Sequence, residues 1–166
     1  MAKAKQAVPD GYRTVTPQIT LEDAARSIEW YKKALGAQEL SRFNGPDGKI
    51  MHAALRIGDS IIMVNDAMGG AKGPKAYGGA PSFVPVYVED CDALFNRAVA
   101  AGAHVPPGPM GQLADQFWGD RCGSFKDPEG LQWTIATRKE DLTPEEIKAR
   151  MEAFMKQYAA TQAAHA

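Results

Sequence analysis

WGDRCGSFKDPEGLQWTIAT, residues 118–137, decides the fold. Asp127, Pro128, Glu129 and Gly130 carry the chemistry of a tight turn: Pro128 presets φ, Asp127 can bond back to the backbone and Gly130 tolerates positive φ. After the turn, Leu131, Trp133 and Ile135 alternate with Gln132, Thr134 and Ala136. That is the period of a strand with one face in a core and one facing something more polar. Two strands therefore meet at this turn, and the polar face is where function is sought.

Working outward, the same grammar occurs twice. Val15, Ile19 and Leu21 alternate with polar residues as a strand; Asp23 caps a helix through Leu35; Gly36 stops it. Residues 37–43 form a short strand, and Ile50–Ile57 with Ser60–Asn65 form a hairpin around Gly58-Asp59. Later come a strand over Phe83–Val88, Asp90 as a cap, a helix with Leu94, Phe95, Ala98 and Val99 inward, and Gly102 as its stop. A short strand at Ala103–Val105, a Pro/Gly-rich loop at Pro106–Gly111 and the opening hairpin complete the second set. Leu21-Glu22-Asp23 matches Val88-Glu89-Asp90 at an offset of 67 residues, and Gly36 matches Gly102 at 66. The chain is a tandem repeat of one βαβββ unit.

This gives an α+β fold: tandem βαβββ modules forming a cupped eight-stranded mixed sheet, plus a C-terminal helix. The expected parts are a flexible lead (1–11), the first module (12–65), a Gly-rich linker or flap (66–81), the second module (82–138) and a C-terminal helix and tail (139–166). The linker lacks the GxxxxGK[ST] order of a phosphate loop. Thr143-Pro144-Glu145-Glu146 is a capping box with Pro at the first helical position, and Ile147, Met151, Phe154, Met155 and Tyr158 make an apolar stripe.

A length of 166 residues, 45% hydrophobic residues and a formal net charge of −1 fit one domain with a real core. They do not suggest a nucleic-acid or membrane-surface partner. With no apolar run of membrane-spanning length and no apolar stretch behind the N-terminal lysines, the chain reads as cytoplasmic. Cys91 and Cys122 lack CxxC spacing and read as reduced thiols.

Two βαβββ units joined by a Gly-rich linker and ending in an Asp-Pro-x-Gly hairpin resemble the vicinal oxygen chelate superfamily: glyoxalase I, extradiol dioxygenases, fosfomycin-resistance enzymes and bleomycin-binding proteins. The resemblance spans roughly Tyr12–Arg138. The quoted hairpin, the following KEDLTPEEIKARM and the earlier HAALRIGDSIIMVND are similar to the PhnB-like branch. The resemblance implies helices outside a cupped sheet and a ligand site in the cup. It also implies four equivalent metal-ligand positions, which read here as Thr16, Met63, Phe83 and Thr134, with Gln18 replacing Thr16 if the register shifts by two. A Met, a Phe and neutral hydroxyls do not supply the three converging donors a divalent ion needs. No metal and no cofactor is expected; His52, His104 and His165 form no alternative cluster.

With a two-residue turn at Gly58-Asp59, the face carrying Met63 also carries His52, Arg56, Ile61 and Asn65. In the second unit Phe83, Pro85 and Tyr87 share the cup face, with Gln132 and Thr134 as floor. Such a surface suits a small molecule. Trp118 either walls the pocket or packs beside it, Arg121 either clamps an anion or pairs locally with Asp120, and His52 either bonds Asn65 or meets ligand. The reading ranked first is a metal-independent binding protein that sequesters an aromatic or polycyclic compound between Phe83, Tyr87 and Trp118. The alternative is a metal-independent isomerase or lyase with His52 as general acid/base. The long linker and the C-terminal stripe lead to the expectation of a homodimer in which both chains line each cup.

Overall fold

The computed structural model describes residues 4–164, so His165 lies outside the described residues. The order is β1 (Gln18–Leu21), α1 (Ala24–Leu35), β2 (Gln38–Asn44), β3 (Ile50–Ile57), β4 (Ser60–Asp66), a 3-10 turn (Pro74–Tyr77), β5 (Phe83–Tyr87), α2 (Cys91–Ala100), β6 (Ala114–Asp115), β7 (Asp120–Lys126), β8 (Gln132–Arg138) and α3 (Pro144–Ala164). The eight strands divide into two four-stranded mixed sheets, ordered β1-β4-β3-β2 and β5-β8-β7-β6. In each, the first strand runs parallel to the last, and the remaining pairs are antiparallel.

The repeat is visible in the caps. Asp23 accepts from the amide of Arg26 and Asp90 from that of Ala93, both at 2.9 Å, each satisfying a donor that a helix start leaves free. The first amides of the helices are also held alike, with different chemistry. Ala24 N donates to the buried Asp66 carboxylate at 2.7 Å, whereas Cys91 N donates to the Thr137 hydroxyl at 2.9 Å. Between the helices, Trp30 Nε1 donates to Ala101 O and Arg97 Nε to Ala34 O, each at 2.9 Å.

One hydrophobic core runs through both units, from Leu21, Ile28, Leu55 and Val64 to Phe95, Phe125, Trp133 and Ile135. Edge-to-face ring pairs link them: Trp30 with Phe125 at 6.2 Å between centroids and Tyr31 with Trp133 at 5.4 Å. The hairpin turn closes as expected, with Gly130 at φ 87°. Asp127 Oδ1 accepts from the amides of Glu129 (2.9 Å) and Leu131 (3.0 Å); Oδ2 accepts from the Tyr31 hydroxyl (2.8 Å) and Trp133 Nε1 (3.0 Å). The same turn also holds the linker, because Glu129 accepts from the amide of Glu22 at 3.1 Å and Glu22 from that of Gly73 at 2.8 Å.

Four local expectations change. The first strand begins at Gln18 rather than near Thr14, because Pro17 interrupts the run, and Val15 is exposed. Residues 103–105 make only the His104–Lys126 bridge, since Pro106 and Pro107 end further pairing, and Ala114–Asp115 supplies the outer strand. Val99 points outward. The linker contains the ordered 3-10 turn.

Replacing Asp127 with Ala strands the Tyr31 hydroxyl, the Trp133 indole N–H and two buried amides. The expected loss is about 3 kcal/mol, against about 1 kcal/mol for Tyr31→Phe. Urea unfolding with unchanged m-value measures both; equal losses would remove Asp127 from its central place.

Candidate functional site on the open sheet faces

Each sheet buries one face against the helices and leaves the other open. On the first, the expected register holds: Ala54 pairs with Met63, Arg56 with Ile61 and Ile57 with Ser60. Gln18, not Thr16, stands opposite Met63. Thr16 lies ahead of β1 with its hydroxyl donating to Arg13 O at 3.0 Å. Asn65 is engaged by neighbours on its own sheet: its carbonyl receives Gln18 Nε2 at 3.0 Å, and its amide donates to Thr20 Oγ1 at 3.2 Å and Asp66 O at 3.0 Å. No hydrogen bond joins His52 to Asn65. Its ring lies tilted, 6.3 Å from that of Phe43. Arg56 is exposed, and Ile61 is buried under the N-terminal segment, where a Cβ on Gly11 would stand 3.2 Å from Ile61 Cδ1.

The second face is richer in rings. Strand pairing sets Phe83 beside Gln132, Pro85 beside Thr134, and Tyr87 beside Ala136. Phe83 is 56% and Tyr87 62% exposed, high values for aromatic side chains on a packed sheet. The loop 106–111 overhangs one end of this face, shaping a half-open pocket of about 410 Å³ between Pro106, Pro107, Met110, Phe83 and a floor of Ser124, Gln132 and Thr134. Ser124 and Thr134 share one hydrogen bond of 2.9 Å, and Gln132 Nε2 donates to Ala80 O at 2.9 Å. Phe83, Gln132 and Thr134 are thus brought together as expected, under a proline roof whose position no local signal in the sequence announces.

The other end of the face centres on Asp120. Its Oδ2 accepts from the Tyr87 hydroxyl at 2.7 Å and from Trp118 Nε1 at 3.0 Å. Oδ1 is buried and receives no hydrogen bond among the described residues; Arg138 Nη1 balances it at 3.6 Å. The hydrogen bond to Asp120 and burial push the Tyr87 phenol above its ordinary value. Arg121 faces the other way. Asp92 holds its Nε and Nη2 at 2.7 Å each, and Asp115 takes Nη1 at 3.2 Å. The expected Asp120–Arg121 pair is absent for the reason strand geometry supplies: neighbouring residues point to opposite faces. Arg121 braces α2 instead.

Metal chemistry does not fit the inherited positions. By strand pairing the equivalent set is Gln18, Met63, Pro85 and Thr134, with Gln18 and Pro85 separated by the same 67 residues as the caps. An amide, a thioether, a proline ring and a hydroxyl are a poor donor set for a divalent ion. No group of three or more His, Cys, Asp or Glu side chains suited to a metal occurs among the described residues, nor does any helix there have the length and apolarity to cross a membrane.

Two βαβββ modules, each with one open sheet face, define the architecture, and sequence comparison gives the family. The pattern of the Glyoxalase/Bleomycin resistance protein/Dioxygenase superfamily matches residues 13–135. The chain belongs to that superfamily. It is 42% identical over 142 residues to an uncharacterized protein of Mycobacterium bovis, covering 82% of this chain and 91% of the relative. The crystal structure of TioX from Micromonospora sp. ML1 superposes with TM-score 0.60 at 28% identity, covering 76% of this chain and 98% of TioX. A glyoxalase/bleomycin resistance protein/dioxygenase from Nocardioides gives 0.58 at 25% identity, covering 80% and 87%.

Two outcomes are expected. The tyrosine titration, read as the absorbance difference between the wild type and Tyr87→Phe, places the Tyr87 ionisation above the free-phenol value near ~10. Asp120→Asn lowers it by removing the charge that opposes phenolate; an unmoved titration would exclude the contact. Elemental analysis after dialysis finds no divalent metal at one per chain.

Proposed function

We propose that this protein binds planar aromatic small molecules without a metal, holding them against the second sheet face. The observation that carries this reading is the exposure of Phe83 and Tyr87 on one face, beside a cavity of about 410 Å³ walled by Pro106, Pro107 and Met110. Convergent apolar walls with a few oriented polar groups are the usual make-up of a ligand pocket. A cytoplasmic sequestering protein of the PhnB-like branch is the form of this reading that suits the resemblance in the hairpin and in residues 52–66.

The enzymatic alternative needs a proton relay around His52. His52 makes no hydrogen bond or ion pair among the described residues, its one ring contact being Phe43. General acid–base work needs a positioned partner, so binding is the better supported reading.

A homodimer is part of the proposal. The open faces carry Phe43, Phe83 and Tyr87 to solvent, and on α3 Met151, Met155 and Tyr158 are exposed while Phe154 rests 5.5 Å from Phe117. A second copy would cover both sets, and each cup would then take one wall from each chain. Stable interfaces of this kind bury about 1,200–2,000 Å².

In calorimetry, planar bicyclic and tricyclic compounds should bind more tightly than aliphatic compounds of equal size. Phe83→Ala should weaken them by about fivefold, in line with the ~0.5–1.5 kcal/mol of a ring contact; unchanged affinity would move the site elsewhere. Sedimentation at micromolar concentration should give a dimer that deletion of residues 144–166 weakens. A monomer, equally stable when truncated, would end the dimeric part of the proposal.

A further inference from the structure

The Tyr87 hydroxyl has one proton, and the structure assigns it to Asp120. The contact is 2.7 Å, to a carboxylate that is 3% exposed. Hydrogen bonds to an ionised acceptor are short and roughly twice as strong as neutral ones. Trp118 Nε1 is committed to the same oxygen at 3.0 Å. The two polar atoms that the aromatic rings of this region own are therefore both spent as donors. What the Tyr87 oxygen has left is lone pairs; the residue as a whole is 62% exposed, and its bond to Asp120 is half-buried. Tyr87 also borders a cavity of about 620 Å³ along the free edge of β5, shared with Val15, Pro17, Ile61, Val84 and Pro85.

We infer that Tyr87, fixed by Asp120, is an acceptor that selects aromatic ligands bearing an O–H or N–H donor over those bearing only acceptors. Asp120 is a positioning residue: it orients the phenol and holds its proton, and only Tyr87 touches ligand. The selection follows from hydrogen-bond arithmetic. A donor on the ligand gains a partner at Tyr87, whereas a carbonyl or ether oxygen placed there meets lone pairs and loses its water without replacement. The charged groups around Tyr87 are Asp120 behind the hydroxyl and Arg138 beyond it, with the Arg13–Asp59 ion pair on the far lining of the cavity; the Cys122 thiol, kept neutral by burial, adds no charge. Neither Arg138 nor Cys122 offers to take the proton that Asp120 holds.

This inference rests on the aromatic-binding reading, and the test separates the two. Calorimetric titration of the full chain with 2-naphthol and with 2-methoxynaphthalene compares the same ring system with and without a donor. The expected result is tighter binding of 2-naphthol by about fivefold, the size of one net hydrogen bond. Tyr87→Phe keeps the ring and removes the acceptor, and should bring the affinity ratio of 2-naphthol to its methyl ether to about one, whatever the loss of the Asp120 contact does to both. Asp120→Ala frees the phenolic proton and should narrow the ratio, with the Tyr87 ionisation falling in parallel. Equal affinities in the wild type, or a ratio that survives Tyr87→Phe, overturn the inference and leave aromatic binding standing. Failure of both naphthalenes to bind overturns the aromatic reading itself, and this inference with it.

Discussion

The carboxylate of Asp127 is the constraint on which the rest depends. It closes its own turn through two amides, and it reaches across the domain to the Tyr31 hydroxyl and the Trp133 indole. Tyr31 belongs to the first unit and Trp133 to the second, so one buried group fastens α1 to the hairpin of the other repeat. Four donors on one carboxylate offset part of its removal from water, and burial still holds the Asp127 carboxyl above its ordinary value. Glu129, two residues on, adds the bond to Glu22 that ties in the start of α1, and through Glu22 the linker at Gly73. A Cβ at Gly73 would lie 3.0 Å from Glu22 N and 3.1 Å from the Leu21 backbone, so a side chain there would have to push this junction apart by a few tenths of an ångström.

From that fastening follows the placement of the open faces. Because α1 and α2 share one core and exchange hydrogen bonds at Trp30 and Arg97, both sheets turn their helix sides inward. The outer faces are then free to diverge, since neither contributes to the common core. The first has become polar, with Gln18, His52, Arg56 and Asn65; the second has become aromatic, with Phe83 and Tyr87. Pro85 illustrates the freedom. A proline in a central strand would break a ladder, but β5 is an edge and tolerates it.

Sequence legibility followed the range of the interaction. Caps, the Asp127–Gly130 turn and the β3–β4 register are set by residues within a few positions of one another, and the pairing of Arg56 with Ile61 follows once the two-residue turn is fixed. The start of β1 was harder to read, because the alternation of Val15 continues past Pro17 on paper but not in backbone hydrogen bonding. The roof of Pro106, Pro107 and Met110 depends on where a loop crosses another strand, and the outward turn of Val99 on which side of α2 meets the core. Asp120 was legible only as the neighbour of Arg121. Alternation along β7 separates the two, and Asp92 in the first turn of α2 was the residue that could have signalled where Arg121 goes.

The two halves of the Asp120 cluster also bear on what kind of site this is. A general acid or base works best when its pKa lies near the operating pH. Tyr87 is displaced the other way, its phenol held above an already high value by the adjacent carboxylate. Asp120 has one oxygen occupied by two donors and the other buried beside Arg138. The Tyr87 phenol is therefore not poised to exchange a proton with a ligand near neutral pH. What such an arrangement does well is hold two rings at fixed positions with their donors already satisfied, leaving little conformational entropy to lose when a flat molecule settles against them. Such preorganisation is what the binding role proposed for the second face requires.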